Sequence, residues 1–417
     1  MKKIKILTLS DHPMSPSGVG IQTRYMIESL LQSGKFKVVS FGGAMKHPRY
    51  DPMKTEEYED DWIIYPVDGY GTQDMIRSVI RTEKPDILWF MTDPRFYGWL
   101  WDIENEIRPL IPMVYYHVWD NYPLPRYNNK HYRSNDKIIC ISKLTHDIVQ
   151  KVAPTVDSVY LPHAVDSNIF KKLDIADKKQ TILEMDEDKF VFFWNNRNAR
   201  RKMSGSLIFW FKDFLDKVGH DKATLIMHTD PKDQHGQDLE MIIEDLNMDK
   251  GQIMISKNKV DPPILAKIYN AVDCTINISD AEGFGLATLE SLSCETPIIA
   301  NVTGGLQEQI TDGEKYFGIA LHPTSKAIIG SQQVPYIYED RVSGDDVIAA
   351  LEKMYNIWKN DREEYNRMAT EGRNHVLKNY NFDDYKKKWL ETMLDIHESY
   401  GSWKTRKNHK NWDLVEV

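Results

Sequence analysis

Short apolar runs alternate with amphipathic helical stretches along most of this chain, and this pattern constrains the fold more than any other feature. The first part contains seven runs that predict buried strands: Ile4–Ser10, Lys37–Phe41, Ile63–Pro66, Asp86–Met91, Pro112–Tyr116, Lys137–Ile141 and Ser158–Leu161. Amphipathic stretches such as Ile21–Gln32, Asp74–Thr82 and Lys143–Val152 separate these strands. Because continuous apolar strands that alternate with helices form parallel sheets covered on both faces, a doubly wound α/β domain is expected.

The second part of the chain repeats the same alternation. Its predicted strands are Phe190–Trp194, Ala223–Met227, Gln252–Ile255, Cys274–Ile278, Pro297–Ala300 and Gly318–Leu321. A length of 417 residues favours two domains, and the polar segment 171–189 is the expected linker. We therefore expect a Rossmann-like domain over 1–170, a second one over 171–380, and a helix and tail over 381–417 that cross back to the first. The carboxyl edges of the two sheets should face a central cleft, where such sheets bind ligands.

Charge and cysteine content exclude several classes of protein. The formal net charge of −9 argues against a generic polyanion-binding protein, although it leaves room for a local basic cleft. The three cysteines, Cys140, Cys274 and Cys294, predict neither a disulfide framework nor a zinc site, which indicates a reducing compartment. No apolar stretch is long enough to cross a bilayer, and the N-terminal apolar run is too short for a secretory signal. A soluble, cytoplasmic protein is expected.

The segment EGFGLATLE, Glu282 to Glu290, carries the most distinctive polar pattern. Two carboxylates flank a Gly-Phe-Gly turn that opens onto an apolar helix. A helix start offers free N–H groups and a positive dipole end, which suit phosphate. Carboxylates instead accept hydrogen bonds from sugar and ribose hydroxyls. The pattern indicates a pocket for a phosphorylated sugar compound, and the alternative is an ordinary strand–loop–helix turn with two solvated glutamates.

A basic run, NNRNARRK from Asn195 to Lys202, follows the predicted strand Phe190–Trp194. Arginine presents a planar fork of donors and lysine a point charge, so a diphosphate is a natural partner. A solvated basic turn is the alternative.

Two glycine-containing turns also lie at predicted helix starts. Gly18 and Gly20, in SDHPMSPSGVG, would let a ligand approach the backbone closely, but the segment lacks both the GxGxxG spacing and the lysine of a phosphate-binding loop. Gly304 and Gly305, in TGGLQE, offer N–H groups in the same way or merely fit a tight turn.

Two histidines follow predicted strands of the first domain. His117, in YYHVWD, is either a structural hydrogen-bonding residue or a functional one, and Asp120 is its candidate orienting partner or a simple loop acid. His163, in LPHAVD, either lines the cleft or shapes a turn.

Taken in order, these motifs resemble glycosyltransferase family 4, the retaining sugar-nucleotide transferases of the GT-B fold. The most specific mark is the Glu-x7-Glu element of Glu282 and Glu290, and Arg197 and Lys202 keep the family's five-residue step from arginine to lysine. The remaining marks are the Gly18–Gly20 loop, His117, ICIS at Ile139–Ser142, PHAVD at Pro162–Asp166, and GGLQE at Gly304–Glu308. The chain departs from the family pattern at Met203, Ala164 and Gln307, and its acid near the histidine is displaced to Asp120.

The resemblance implies a role for each matching residue. Arg197 and Lys202 would stabilise the departing nucleotide diphosphate. Glu282 would accept hydrogen bonds from donor-sugar hydroxyls, and Glu290 would hold the ribose diol. Amides around Phe284, Gly285 and Leu286 would bind phosphate and sugar oxygens, Gly18 and Gly20 would let the first domain close over the phosphates, and His117 would contact the sugar. No metal or other cofactor is expected, since two cations and a helix start can stabilise the leaving group.

Several alternatives stay open. A sugar phosphorylase, a sugar-nucleotide epimerase or a non-catalytic binding protein can share this architecture. The acceptor can be a glycan, a lipid-linked glycan, a small metabolite, a protein or a modified DNA base, with nucleic acid not favoured because of the overall negative charge. Donor sugar, base and oligomeric state are unspecified. Segment 324–343 reads as an irregular insertion, and Trp403 and Trp412 are expected to dock.

Overall fold

A computed structural model describes residues 2–407 and 409. The chain divides into two compact units: residues 1–163, 330–335 and 383–417 form the first, and residues 164–329 and 336–382 form the second. From the sequence, domain boundaries were predicted at residues 170 and 380. The grouping of the short stretch 330–335 with the first unit was not predicted.

The first unit is built on an eight-stranded sheet. Its strands are β1 (Ile4–Asp11), β2 (Phe36–Gly43), β3 (Met53–Lys54), β4 (Trp62–Pro66), β5 (Ile87–Thr92), β6 (Met113–His117), β7 (Lys137–Cys140) and β8 (Asp157–Tyr160). They lie in the order β3-β4-β2-β1-β5-β6-β7-β8, and only β3 pairs antiparallel. The order reverses between β1 and β5, which is where open α/β sheets bind ligands.

Helices cover this sheet as the amphipathic pattern predicts. They are α1 (Gly18–Leu31), α2 (Gln73–Glu83), α3 (Gly98–Trp101), α4 (Glu104–Ile107), α5 (Asn129–Arg133) and α6 (Lys143–Val152). Helix α2 shows why: the side chain of Thr72 caps its first turn, and Ile76 and Ile80, four residues apart, supply its buried face.

The second unit is built on a six-stranded parallel sheet. Its strands are β9 (Phe190–Asn195), β10 (Ala223–His228), β11 (Ile253–Ser256), β12 (Cys274–Asn277), β13 (Ile298–Asn301) and β14 (Gly318–Leu321). The order β11-β10-β9-β12-β13-β14 is the Rossmann order 3-2-1-4-5-6. Each strand was predicted to within one residue at either end, because strands buried on both faces are near-continuous apolar runs.

The helices of the second unit are α7 (Lys178–Leu183), α8 (Ser204–Val218), α9 (Leu239–Asp245), α10 (Pro262–Ala271), α11 (Leu286–Ser293), α12 (Gln307–Ile310), α13 (Gly344–Asn360) and α14 (Arg362–Asn379). Aromatic side chains fill the core beneath them: Phe190 contacts Phe192 at 4.5 Å and Trp358 at 5.1 Å between ring centroids.

Two segments differ from the sequence-based expectation. The expected linker contains α7, and its Lys179 lies buried with Nζ 2.7 Å from an oxygen of Asp273, so the segment is anchored to the second unit. The expected irregular insertion is an antiparallel hairpin of β15 (Ser325–Ile329) and β16 (Ile337–Arg341), with Lys326 opposite Asp340.

The last helix, α15 (Phe382–Tyr400), belongs to the first unit from Asp383 onward. The indole of its Trp389 lies 6.0 Å from that of Trp89 and 4.9 Å from the Tyr116 ring. The predicted docking of Trp403 is confirmed, since its Nε1 donates to the Pro85 carbonyl at 2.9 Å. Trp412 lies outside the described residues. The fold class predicted from the sequence, two doubly wound Rossmann-like domains, is confirmed.

The three cysteines are buried and unpaired, as the sequence suggested. Over residues 2–407 and 409, no helix is both long and apolar enough to cross a membrane.

Candidate functional site

The predicted site residues of the second unit leave the sheet at its switch point. The loop after β9 carries the basic run, and the loop after β12 carries the Gly-Phe-Gly turn. These neighbouring strands lie on either side of the point where strand order reverses. The two loops are joined by a backbone hydrogen bond of 2.8 Å from the Asp280 N–H to the Arg201 carbonyl.

Lys202 and Glu282, the first from the basic run and the second from the Gly-Phe-Gly turn, form a direct ion pair. Both residues are buried, with 7% and 9% of their surfaces exposed. Burial alone would raise the pKa of Glu282, but the charges of Lys202 and Arg201 outweigh it and hold that pKa below its ordinary value. The carboxylate of Glu282 is therefore held in its charged form beside the lysine.

The backbone around Lys202 explains how the lysine reaches Glu282. Residues 200–202 form one turn of 3-10 helix, and Met203 follows with φ of 59°. This is the left-handed region that glycine adopts most easily, and the resembling family has glycine here. Met203 thus departs from the family in residue type but keeps a conformation that a glycine would favour.

The Gly-Phe-Gly turn packs closely against the Gly304–Gly305 turn. The Gly305 N–H donates to the Glu282 carbonyl at 3.0 Å. A Cβ on Gly305 would lie 2.6 Å from the Cα of Phe284, so only glycine fits there. Gly285 has φ of 90° and caps α11, which begins at Leu286. The first N–H groups of α11 have no partner within the helix and can bind an anion.

Glu290 lies one turn further along α11 and is partly buried. Its Oε2 accepts a 2.9 Å hydrogen bond from the Tyr269 hydroxyl, which in turn accepts one of the same length from Asn195. Burial raises the pKa of Glu290 to about 7, although the Tyr269 hydrogen bond opposes the shift. Tyr269 was not singled out by sequence reasoning, because nothing in its local pattern marks it.

Arg197 does not contact the Lys202–Glu282 pair in this structure. Its Nε and Nη2 bind the carboxylate of Asp233 at 2.6 and 3.2 Å, and Nη2 also lies 2.7 Å from His235 Nδ1. Its side chain is 61% exposed. Its predicted role with a diphosphate stays a prediction, and it requires that the anion replace Asp233 as its partner.

Arg200 and Arg201, to which the sequence analysis gave no individual role, bind other segments of the second unit. Arg201 donates to the Ala281 carbonyl, and Arg200 pairs with Glu339 of the hairpin. The basic run made both arginines candidates, but only the fold shows which of them turn toward the second loop.

In the first unit, Gly18 and Gly20 open α1 at the end of β1. The Ser17 hydroxyl accepts from the Gly20 N–H at 3.0 Å and donates to Asp11 at 2.6 Å. A Cβ on Gly20 would meet the Ser15 hydroxyl at 2.4 Å and the His12 carbonyl at 2.7 Å, so the tight loop before the helix needs this glycine.

His117 is fully buried between two tyrosines. Its Nδ1 lies 3.1 Å from the Tyr115 hydroxyl and its Nε2 lies 2.7 Å from that of Tyr132. Burial lowers the pKa of His117 to about 3. The ring partners are thus tyrosines and not Asp120, and the role of His117 in contacting a sugar stays a prediction.

His163 is also buried, with Nδ1 2.8 Å from the Tyr116 hydroxyl. Burial lowers its pKa to about 3. The structure thus brings together Lys202, Glu282, the turn 283–286 and Gly304–Gly305, with Glu290 further along the same helix.

A helix start at the switch point of a parallel sheet is where doubly wound domains commonly bind phosphorylated ligands, and here a buried lysine and two glutamates lie beside it. Residues 175–341, which lie largely in the second unit, match the family model described as glycosyl transferases group 1.

Individual relatives agree with this family. A segment of 52 residues is 46% identical to D-inositol 3-phosphate glycosyltransferase from Thermomonospora curvata and covers 12% of each chain. The matched segments of the curated relatives span between 12% and 42% of those proteins' length.

Solved structures resemble the chain over nearly its whole length. Sucrose-phosphate synthase from Thermosynechococcus elongatus superposes with a TM-score of 0.74 and 15% identity, covering 95% of this chain and 100% of the other. HepE from Anabaena, solved with UDP and glucose, superposes with a TM-score of 0.67 and 15% identity, covering 94% and 100%. These likenesses establish the two-domain GT-B fold.

Proposed function

We propose that this chain is a glycosyltransferase of class EC 2.4, which transfers a sugar from a nucleotide-diphosphate sugar to an acceptor hydroxyl. The observation that carries the proposal is the buried contact between Lys202 and Glu282 beside the start of α11. A nucleotide sugar presents an anionic diphosphate next to a ring of hydroxyl donors, and this site offers a cation and an acceptor side by side.

The chemistry of the leaving group assigns the first role to Lys202. Breaking the sugar–phosphate bond leaves charge on the diphosphate, and preorganised positive groups in a site shielded from water stabilise it most effectively. Lys202 and the N–H groups of Leu286 and its neighbours are those groups. Arg197 would also bind the diphosphate if its ion pair with Asp233 broke and the diphosphate took the place of that carboxylate.

Glu282 and Glu290 would orient the rest of the donor. Glu282 would accept hydrogen bonds from sugar hydroxyls once Lys202 turns to the diphosphate. Glu290 would accept from the ribose diol, with Tyr269 holding its carboxylate. Positioning of this kind supplies much of the rate of a transfer reaction.

The resemblance to family 4 extends the proposal in three respects. Transfer would retain the anomeric configuration, the leaving phosphate would take the acceptor's proton, and no metal would be needed. Gly18, Gly20 and His117 would complete the site from the first domain. Because HepE was solved with UDP and glucose, UDP-glucose is the first donor to test.

The test begins with a thermal-shift screen of UDP-, GDP- and ADP-sugars on the purified chain, followed by steady-state kinetics and product analysis. Arg197→Ala should lose turnover with the fold intact, and Glu282→Ala, which removes the ion-pair partner of buried Lys202, should lose turnover in the fraction that circular dichroism shows to be folded. Lys212→Ala, which removes an ion-paired lysine on α8, is the control and should behave as wild type. Near-normal rates in both site variants would refute their assignments.

Product analysis separates this proposal from its alternatives. Net transfer to an acceptor supports a transferase. Phosphate-dependent cleavage identifies a phosphorylase, isomerisation identifies an epimerase, and the absence of any donor turnover excludes an enzyme of this class. Unchanged rates with a chelator support metal independence.

A further inference from the structure

The hairpin of β15 and β16 has no part in the proposed chemistry, yet it ends in two adjacent buried acids. Glu339 and Asp340 are 1% and 4% exposed, whereas Ile328 on the partner strand is 64% exposed. Neighbouring residues of a strand point to opposite faces, so both faces of β16 are covered at this point. Buried carboxylates are unfavourable unless they are paired, so the partners of these two acids indicate what the hairpin does.

Glu339 binds the loop that carries Lys202. Both terminal nitrogens of Arg200 donate to its carboxylate, and Arg341 Nη2 lies 3.2 Å from its Oε2. Although burial favours the neutral form, these hydrogen bonds hold the pKa of Glu339 below its ordinary value. Arg200 and Lys202 belong to the same 3-10 turn. The position of that turn is therefore tied to the hairpin.

Asp340 binds the other two loops of the site. Its N–H donates to the Asp280 carbonyl at 2.8 Å, two residues before Glu282. Its carboxylate accepts a 2.8 Å hydrogen bond from the hydroxyl of Thr303, the residue before Gly304. Its carbonyl accepts from Asn301 Nδ2 at 2.7 Å. One residue of the hairpin thus contacts the segments that lead into both glycine turns.

We infer that Glu339 and Asp340 are positioning residues, which fix the three loops bearing Lys202, Glu282 and Gly305 in the arrangement that a donor requires. The catalytic consequence rests on the proposed function, whereas the bracing of the loops does not. Their hydrogen bonds to Arg200, to the Asp280 carbonyl and to Thr303 are the contacts through which they hold the loops. A displacement of about 1 Å in such loops is enough to lower turnover roughly 100-fold.

The first experiment measures the bracing without any ligand. Amide hydrogen exchange, followed by mass spectrometry on the full chain, compares wild type with Glu339→Gln and Asp340→Ala. Exchange should become faster in segment 200–203 for Glu339→Gln, which loses the ion pair with Arg200, and in segment 301–305 for Asp340→Ala, which loses the hydrogen bond from Thr303. Ile328→Ser, on the exposed strand of the same hairpin, is the control and should match wild type. Unchanged exchange in both acid variants would overturn the inference.

The second experiment measures the consequence for the donor. Glu339→Gln and Asp340→Ala should raise the donor KM about 10- to 100-fold and leave the acceptor KM within about twofold. A purely structural role would lower the active fraction, and hence the apparent kcat, without moving the donor KM. An unchanged donor KM in folded variants that turn over would contradict the catalytic part of the inference.

A double-mutant cycle tests the route of action. In an Arg200→Ala background, Glu339→Gln should raise the donor KM no further, because the contact is already lost. Additive effects would show that Glu339 does not act through Arg200. If wild type itself turns over no nucleotide sugar, the proposed function fails, and the exchange experiment alone decides the bracing.

Discussion

Replacing Glu290 with glutamine should stabilise the protein at neutral pH while weakening its proposed hold on the donor. Burial raises the pKa of Glu290 to about 7 from an ordinary value of 4.5. Since a carboxyl with a raised folded-state pKa binds its proton more tightly in the folded than in the unfolded state, its contribution to stability is complete below pH 4.5. That contribution is lost as the pH rises through 7.

The magnitude follows from the size of the shift. About 2.5 units at 1.36 kcal/mol each corresponds to roughly 3 kcal/mol. Glu290 keeps part of its surface in water, which screens the effect, so we expect about 1–3 kcal/mol. Glu290→Gln, which stays neutral in both states, should therefore gain this amount relative to wild type between pH 4 and pH 8.

Urea denaturation across that pH range measures the free energy of unfolding of both proteins. The difference between them isolates Glu290 from the other titrating groups. Glu244→Gln is the matched control, because it makes the same chemical change at an exposed position of α9. If the free energy of unfolding depended on pH in the same way for wild type and Glu290→Gln, burial would not raise the pKa of Glu290, and the reasoning would be refuted. Calorimetry of nucleotide binding then tests the ribose role, since unchanged affinity in Glu290→Gln removes it.

Three further substitutions test separate parts of the site. Lys202→Met should abolish turnover and lower stability by about 3–5 kcal/mol, because it removes the ion-pair partner of the buried Glu282 carboxylate; the double variant with Glu282→Gln should recover the melting temperature but not the activity. Gly305→Ala should lower stability by about 1–3 kcal/mol, since its Cβ meets the backbone of Phe284, and should also weaken donor binding measured by calorimetry. His117 should stay neutral in NMR titrations above pH 5, because burial lowers its pKa to about 3; its contribution to stability should be present above pH 6.5 and lost on acidification toward pH 3.

The strands of both sheets can be predicted well because the burial of a strand is recorded in its own short stretch of sequence. A strand such as Phe190–Asn195 is buried on both faces and so is a continuous apolar run that can be recognised by itself. The hairpin escaped recognition for the opposite reason: most of β15 is exposed, and neither strand has the apolar pattern of a core element. Its fixed position comes from contacts of Glu339 and Asp340 with residues far away in sequence.

The same distinction between local and long-range interactions separates the site features that could be predicted from those that could not. The Gly-Phe-Gly turn and the two glutamates could be located because they occupy fixed places relative to a strand end and a helix start. The partners of charged side chains could not be predicted. Arg197, for example, forms an ion pair with Asp233, which lies 36 residues away in the loop after β10. The two tyrosines around His117 were close in sequence, but the strand geometry decides that the ring binds them and not Asp120.

The pairing of Lys202 with Glu282 restricts which ligands suit this site. Each charge is buried, and separating them without replacement leaves both unfavourably desolvated. A lone phosphate could replace Glu282 as the partner of the lysine, but it would not replace the hydrogen bonds that the carboxylate loses with Lys202, and a neutral sugar would do the reverse. Only a molecule that presents an anion and hydroxyl donors within a few ångströms of each other replaces both partners at once. A sugar linked to a diphosphate, the donor class proposed above, has this arrangement, and we infer that the hairpin acids hold the two loops where one such molecule can reach both.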